Sequence, residues 1–190
     1  TFGNAGPGGQ LLAAFFQSAT ARTAGFNTVD IGQMVPASLL FMMMLMFIGA
    51  GATSTGGGIK VTTFAVVLLA TRAFLTKRPH VTAFGRTLSP QIVTRSVAII
   101  IVSTMVLMLA MFLLMLTESL PFDKIMFETI SAFATVGLST GITASLSEPG
   151  KLILVLVMIC GRLGPLTLAI MLARPVETRI RYPEESVYTG

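Results

Sequence analysis

An all-α membrane protein, built from a repeated unit of crossing helix, re-entrant short helix, short strand and crossing helix, is the fold class this sequence predicts. Three observations predict it: a composition too apolar for an aqueous surface, one uninterrupted apolar run of membrane-spanning length, and an internal repeat at fixed spacing. Of the 190 residues, 53% are apolar and 11% charged, and mean hydropathy is +0.83. A soluble domain carries about 25% charge. A chain this poor in charge cannot cover its surface with polar groups, and the same numbers exclude disorder. The net charge of +5 sits in two short blocks without interleaved aromatics, so no nucleic-acid partner is expected. The single cysteine, Cys160, lies inside an apolar run. That excludes a disulfide framework or a metal cluster and reads as a buried small apolar residue. Thr1 to Gln10 match neither a signal nor a transit peptide, and the sequence does not begin with Met. It reads as a piece of something longer.

The run Val97 to Leu116 holds 20 residues without charge, Gly or Pro, which matches a hydrocarbon core of about 30 Å. Leu152 to Ala173 is also long enough to cross, but carries Gly161, Arg162, Gly164 and Pro165. A third crossing starts near Ala37, runs to Gly49, breaks, and resumes after Ile59. Its middle cannot be an ordinary helix, because Gly51, Gly56, Gly57 and Gly58 carry a large propensity cost. Irregular backbone at membrane depth is tolerated only where protein or a water-filled cavity satisfies it, so a broken helix points to a transport path. The segment Arg72 to Arg95 carries Arg72, Lys77, Arg78, Arg86 and Arg95 and no acid, which places it in the cytoplasm. Glu118 and Asp123 then lie outside, and the tail with Arg174, Arg179 and Arg181 lies inside. Segment 119–151 begins and ends outside and is too short to cross twice, so it predicts a re-entrant loop: a short helix in, an extended segment out.

Self-similarity supports this. Phe16 to Thr28 lies over Glu128 to Thr140 at an offset of 112, with Phe15 on Phe127, Thr23 on Thr135, Gly25 on Gly137 and Thr28 on Thr140. Continued without a gap, Gly49 falls on Gly161, where each following helix is expected to become irregular. Two crossings per unit preserve orientation, so the units are related by an axis along the membrane normal and assemble as a ring around a pore. The divisions expected are 1–75, a pore repeat lacking its first helix; 76–96, a basic cytoplasmic loop; 97–174, a complete repeat; and 175–190, a cytoplasmic tail.

Such a unit suits the passage of a cation such as K+. A cation entering a pore sheds water, and backbone carbonyls replace that water if they face the axis. Gly permits the dihedrals this requires. The short helix before the strand points its negative end at the ion's path. The expected ligands are the carbonyls of Thr23, Ala24, Gly25 and Phe26 and of Thr135, Val136, Gly137 and Leu138, with K+ as the bound metal ion and no organic cofactor.

At these residues the sequence resembles the KtrB/TrkH superfamily of potassium transporters. The matching motifs are ARTAGFNT (Ala21 to Thr28), MFIGAGATSTGGGIKVTTFA (Met46 to Ala65), FETISAFATVGLSTGIT (Phe127 to Thr143), GRLGPLT (Gly161 to Thr167) and YPEESVYTG (Tyr182 to Gly190). The resemblance implies four repeats around one pore, of which this sequence matches the third without its first helix and the complete fourth. It implies one filter glycine per strand, here Gly25 and Gly137, and an intramembrane gating loop, here Gly49, Gly51, Gly56, Gly57, Gly58 and Lys60. It places a cation, Arg162, in the pore below the filter. It further implies a bacterial cell-membrane location, K+ transport with Na+ coupling in some members, and a homodimer of the membrane subunit. A ring of nucleotide-binding regulatory subunits then sits on the cytoplasmic face.

Several residues carry two readings. Arg162, near the middle of an apolar helix, is either the pore cation or half of a structural ion pair, with Glu128 as partner. Lys60 either takes part in gating or reaches the interface by snorkelling. GATSTGGGIK is no phosphate-binding loop, since Gly56 is followed by Gly57 where that pattern needs Lys. Met42, Met43, Met44 and Met46 read as packing, and His80 as a solvated loop residue. An enzyme would need a nucleophile–base pair at depth; Lys60, Glu128 and Arg162 do not form one. A secondary carrier, or a structural subunit without a conducting pore, stays open as the alternative to a channel-like transporter.

Overall fold

The computed structural model describes residues 6–51 and 56–164. Apart from one small hairpin, its regular elements are helices. In order the elements are α1 (Pro7–Thr20), α2 (Pro36–Phe47), α3 (Val61–Leu75), β1 (Thr82–Ala83), β2 (Arg86–Thr87), α4 (Pro90–Thr117), α5 (Phe122–Phe133) and α6 (Glu148–Leu163). Pro opens α1, α2 and α4 at the first turn, where its missing N–H costs nothing.

α4 contains the predicted crossing run and extends it to 28 residues, with mean hydropathy 2.9 over its best window. At 1.5 Å per residue it spans about 42 Å. Most of its surface is open, and that surface is Met105, Met108, Leu109, Phe112 and Leu116, which belongs in lipid rather than water. α1 and α5, at 14 and 12 residues, reach only about 18–21 Å, less than the hydrocarbon core. They are the short helices expected before each strand.

α4 packs on both α5 and α6, α5 packs on α6, and α2 packs on α5. Two apolar cores result. One joins Leu39, Met42, Met43 and Met46 of α2 to Phe127 of α5 and to Ala134, Val136 and Leu138 beyond it. The other joins Leu107, Ala110 and Leu114 of α4 to Ile125 and Phe133 of α5 and to Leu154 and Val157 of α6. Three of the four clustered methionines are therefore packing residues, and Met44 faces outward. α2 covers Phe127, which is 0% exposed, while its counterpart Phe15 on α1 is 73% exposed.

The predicted break is present. α2 ends at Phe47 and α3 starts at Val61, and the two ends are tied by a bridge between Ile48 and Ile59. Gly49 N donates to Ile59 O at 2.7 Å and Ile59 N to Phe47 O at 3.3 Å. Three expectations are corrected. The α6 helix does not become irregular at Gly161: it continues to Leu163, and Gly164, with φ +85°, ends it. The reason is packing, since Gly161 lies directly on the Phe133 carbonyl and serves close approach rather than a bend. Arg162 accordingly sits in the last turn of α6, not mid-helix. Cys160 is half-buried rather than buried. The basic segment between α3 and α4 also folds a hairpin that the basic-loop reading missed, turning on Phe84 and Gly85 at φ +48° and +76°, with exposed His80 just before it. The expectations for Pro165, the arginines of the tail and YPEESVYTG lie outside the described residues.

Candidate functional site

Each short helix ends in the same way. Ala21 and Ala134 leave α1 and α5 in right-handed geometry. Ala24 N and Gly25 N then turn back to Thr20 O at 3.2 and 3.3 Å, and Val136 N turns back to Ser131 O at 3.0 Å. The chain next takes up an alternating conformation twice over. Thr23 has φ +70° and Gly25 +74°; Thr135 has φ +54° and Gly137 +87°, while Ala24 and Val136 between them are not left-handed. Positive φ in a β-branched residue is a genuine outlier, costing about 1–3 kcal/mol. Two such outliers at equivalent positions are a repeat written in the backbone. They also correct the expectation of an extended strand: each segment alternates in hand.

The two segments lie against each other. A Cβ on Gly25 would stand 2.3 Å from Val136 O and 3.9 Å from Gly137 Cα, and one on Gly32 would stand 2.9 Å from Thr140 O. Among the described residues the carbonyls of Thr23, Ala24, Gly25, Thr135, Val136, Gly137 and Leu138 accept no hydrogen bond. The Phe26 carbonyl differs, accepting from Thr20 Oγ1 at 2.6 Å.

The glycine-rich segment reaches both threonines. A Cβ on Gly56 would lie 3.0 Å from Thr23 Oγ1, and one on Gly57 would lie 2.6 Å from Thr135 Oγ1. Gly57 N donates to Thr135 Oγ1 at 3.0 Å. Only residues without a side chain let the backbone come this close. Lys60 Nζ donates to Gly56 O, so Lys60 is turned back onto the segment it follows. Gly49 is buried, and Gly51 is exposed before residues 52–55, which are not described.

A cavity of 470 Å³ opens beside the second segment, lined by Glu128, Ser131, Thr135, Gly137, Leu138 and Arg162 among others. Glu128 is buried, and its carboxylate is held by donors behind the segment. Oε1 accepts from Ser139 Oγ and from Thr140 N at 2.9 Å, and Oε2 accepts from Thr143 Oγ1 at 2.9 Å. These bonds answer the expected pairing with Arg162: Glu128 holds the turn after the segment instead, although both residues line one cavity. Glu118 plays a similar part between helices, accepting from Ser147 N at 3.1 Å and from its hydroxyl, which ties the end of α4 to the start of α6.

Sequence reasoning missed Arg22, whose guanidinium donates to the carbonyls of Ile48 and, at 3.2 Å, Gly49. The signal was available: a charged residue beside Thr23 in one copy where the other copy has Ala134.

A family model described as TrkH, cation transport protein, matches residues 2–180. The chain is 64% identical over 190 residues to the Ktr system potassium uptake protein B of Vibrio alginolyticus, covering 100% of this chain and 42% of that protein. It is 43% identical over 181 residues to the Bacillus subtilis protein of the same name, covering 95% and 41%. It is 38% identical over 188 residues to the potassium/sodium uptake protein NtpJ of Enterococcus hirae, covering 95% and 42%. The crystal structure of the potassium transporter TrkH from Vibrio parahaemolyticus shares the fold, with TM-score 0.77 at 23% identity over 90% of this chain and 39% of that one. The chain thus spans about two fifths of the length of the relatives it matches. A membrane location and a mostly helical fold accord with these likenesses, and the matching family is one of cation transporters. The chain belongs to the TrkH family of cation transport proteins.

Proposed function

We propose that this chain supplies two of the strands that select K+ in a membrane uptake system, together with the segment that gates them. One observation carries the reading: two abutting backbone segments alternate in hand at equivalent threonines and glycines and leave their carbonyls unclaimed by the fold. In a regular strand successive residues point to opposite faces. Alternating right- and left-handed residues turns successive peptide groups to one side, which is what a row of dehydrating oxygens needs. The ligand carbonyls are those of Thr23, Ala24 and Gly25 and of Thr135, Val136, Gly137 and Leu138. Phe26 completes the first set only through a second lone pair on an oxygen that Thr20 already engages. α1 and α5 end just before the segments and present the negative ends of their dipoles to the same place.

The glycine-rich stretch forms the gate in this reading; what supports it is that Gly56 lies against Thr23 and Gly57 against Thr135. Arg162 supplies positive charge in the neighbouring cavity. The named relatives are potassium uptake proteins, one of them potassium/sodium, so K+ is the transported ion and Na+ a second cargo. The family resemblance implies a homodimer of the membrane subunit with a nucleotide-binding ring on its cytoplasmic face; the relative's name, a Ktr system protein B, supports a multi-component system.

The test is ion discrimination in the full-length gene product, expressed in cells without other K+ uptake. A Cβ at Gly137 meets nothing within 4 Å, so Gly137→Ser perturbs φ without a clash. K+/Na+ discrimination is expected to fall roughly tenfold, the equivalent of about 1.4 kcal/mol, with normal membrane abundance. Unchanged discrimination in that variant would remove the second segment from the filter.

A further inference from the structure

Another cavity, of 140 Å³, lies where α3 ends. Leu69, Arg72, Ala73 and Thr76 supply one wall, and their spacing of three and four residues puts them on one stripe of the helix. The chain then turns back over that stripe. Lys77 takes φ +50°, Arg78 N donates to Ala73 O at 2.9 Å, and Arg78, His80 and Thr82 supply the rest of the lining. β1 packs on α3 and holds this arrangement.

The lining is positive and uncompensated. Arg72 and Arg78 stay charged at any physiological pH, and His80 offers a ring N–H whatever its protonation state. No acid occurs between Arg72 and Arg95, and among the described residues neither guanidinium has a hydrogen-bond or ion-pair partner. Thr76 gives its hydroxyl proton to Arg72 O at 2.8 Å, which leaves the Thr82 hydroxyl as the neutral donor. A helix C-terminus carries about half a negative charge, so two guanidiniums exceed what the end of α3 balances, and the cavity calls for a further anion.

Its position says which anion. α3 and α4 pack on each other, and the hairpin joins the end of one to the start of the other. The apolar run of α4 begins at Val97, so the turns from Pro90 to Ser96 rise about 10 Å beyond it, through the layer of lipid headgroups. Phe74 and Leu75 at the end of α3 and Phe84 at the tip of the hairpin stand bare. Basic groups beside bare apolar side chains make a surface that meets anionic lipid. The size agrees: sites for whole small molecules run about 300–1,000 Å³. A cavity of 140 Å³ suits a phosphate group whose remaining atoms stay in the bilayer.

We propose that this cavity binds the headgroup phosphate of an anionic phospholipid. The site stands whether or not the two ligand segments form the filter. The test titrates the purified full-length gene product, in detergent and phosphate-free buffer, with phosphatidylglycerol, phosphatidylcholine or inorganic phosphate. Native mass spectrometry reads the affinity of the first lipid retained. The parent binds phosphatidylglycerol more tightly than phosphatidylcholine, whose ammonium opposes the guanidiniums. Arg72→Gln combined with Arg78→Gln weakens phosphatidylglycerol roughly thirtyfold, at about fivefold per basic group, and leaves phosphatidylcholine as it was. Arg72→Lys combined with Arg78→Lys keeps most of the affinity, because a point charge still serves a phosphate. Both arginines are exposed, so the variants are expected to accumulate; if the Gln pair does not, Arg78→Gln alone decides, with a loss of about fivefold. Equal affinity in the parent and the Gln pair overturns the site. An equal loss in the Lys pair overturns it too, by making the arginines structural. Displacement of phosphatidylglycerol by inorganic phosphate assigns the cavity to a soluble anion and overturns the lipid. Unchanged lipid binding with loss of a co-purifying cytoplasmic subunit in the Gln pair makes the surface a protein contact and overturns the lipid as well.

Discussion

Gly25→Ala should lower K+ uptake by about two orders of magnitude while leaving the protein in the membrane. Two costs meet at this residue. Its φ of +74° is disfavoured for any residue with a Cβ by about 1–2 kcal/mol. The added carbon would also stand 2.3 Å from Val136 O and 3.5 Å from Val136 C, both backbone atoms that cannot turn aside. The facing segment must move by about 1 Å, and a displacement of that size in a site of fixed geometry costs on the order of 100-fold. Uptake of K+ or Rb+ in a strain without other K+ uptake, normalised to membrane abundance, gives the measurement. Near-normal uptake would show that the contact between the two segments is irrelevant to transport. Gly137→Ser is the milder change because its Cβ enters open space.

Gly161→Ala should instead destabilise the fold, by about 3 kcal/mol or more. The new carbon would lie 1.8 Å from Phe133 O, 2.7 Å from Phe133 C and 3.1 Å from Phe133 Cα. No rotamer relieves a backbone clash, so α6 and α5 must separate, and overpacking of this kind reaches the top of the usual range. Heating the detergent-solubilised full-length protein and following the folded fraction by size-exclusion chromatography should show a clearly lower midpoint than Gly25→Ala. Phe133 is the last residue of α5, two before Thr135, so whatever protein survives should also transport poorly. A melting midpoint equal to the parent's would mean that the helices are not held together at this point.

Much of this was legible in the sequence because the signals are local and dictated by the solvent. The run inside α4 declares itself by composition, and the break between Phe47 and Val61 by its glycines. The 112-residue offset aligns Thr23 with Thr135 and Gly25 with Gly137, the positions where the fold is left-handed, although the hand itself was not legible. Other features were hidden because they depend on what lies opposite in space. Gly161 and Gly49 align, yet one packs inside a helix and the other lies beyond the end of one. Sequence cannot tell a glycine that bends from a glycine that admits a neighbour until the neighbour, here Phe133, is in place. Glu128 read as a partner for Arg162 because charge suggests charge. In the fold, hydroxyls and an amide of the following turn reach it first. Arg22 went unassigned because its acceptors are main-chain oxygens, and a main-chain oxygen has no letter in a sequence.

Thr23 and Thr135 each touch a different residue of the same glycine-rich stretch, Gly56 and Gly57. If the stretch gates and the oxygens bind K+, as proposed, occupancy and permeation are thermodynamically conjugate. If swinging that stretch aside alters how tightly the oxygens hold K+, then loading them must bias the swing by an equal factor. Under that proposal external K+ would be an effector of its own passage, acting through two adjacent peptide units.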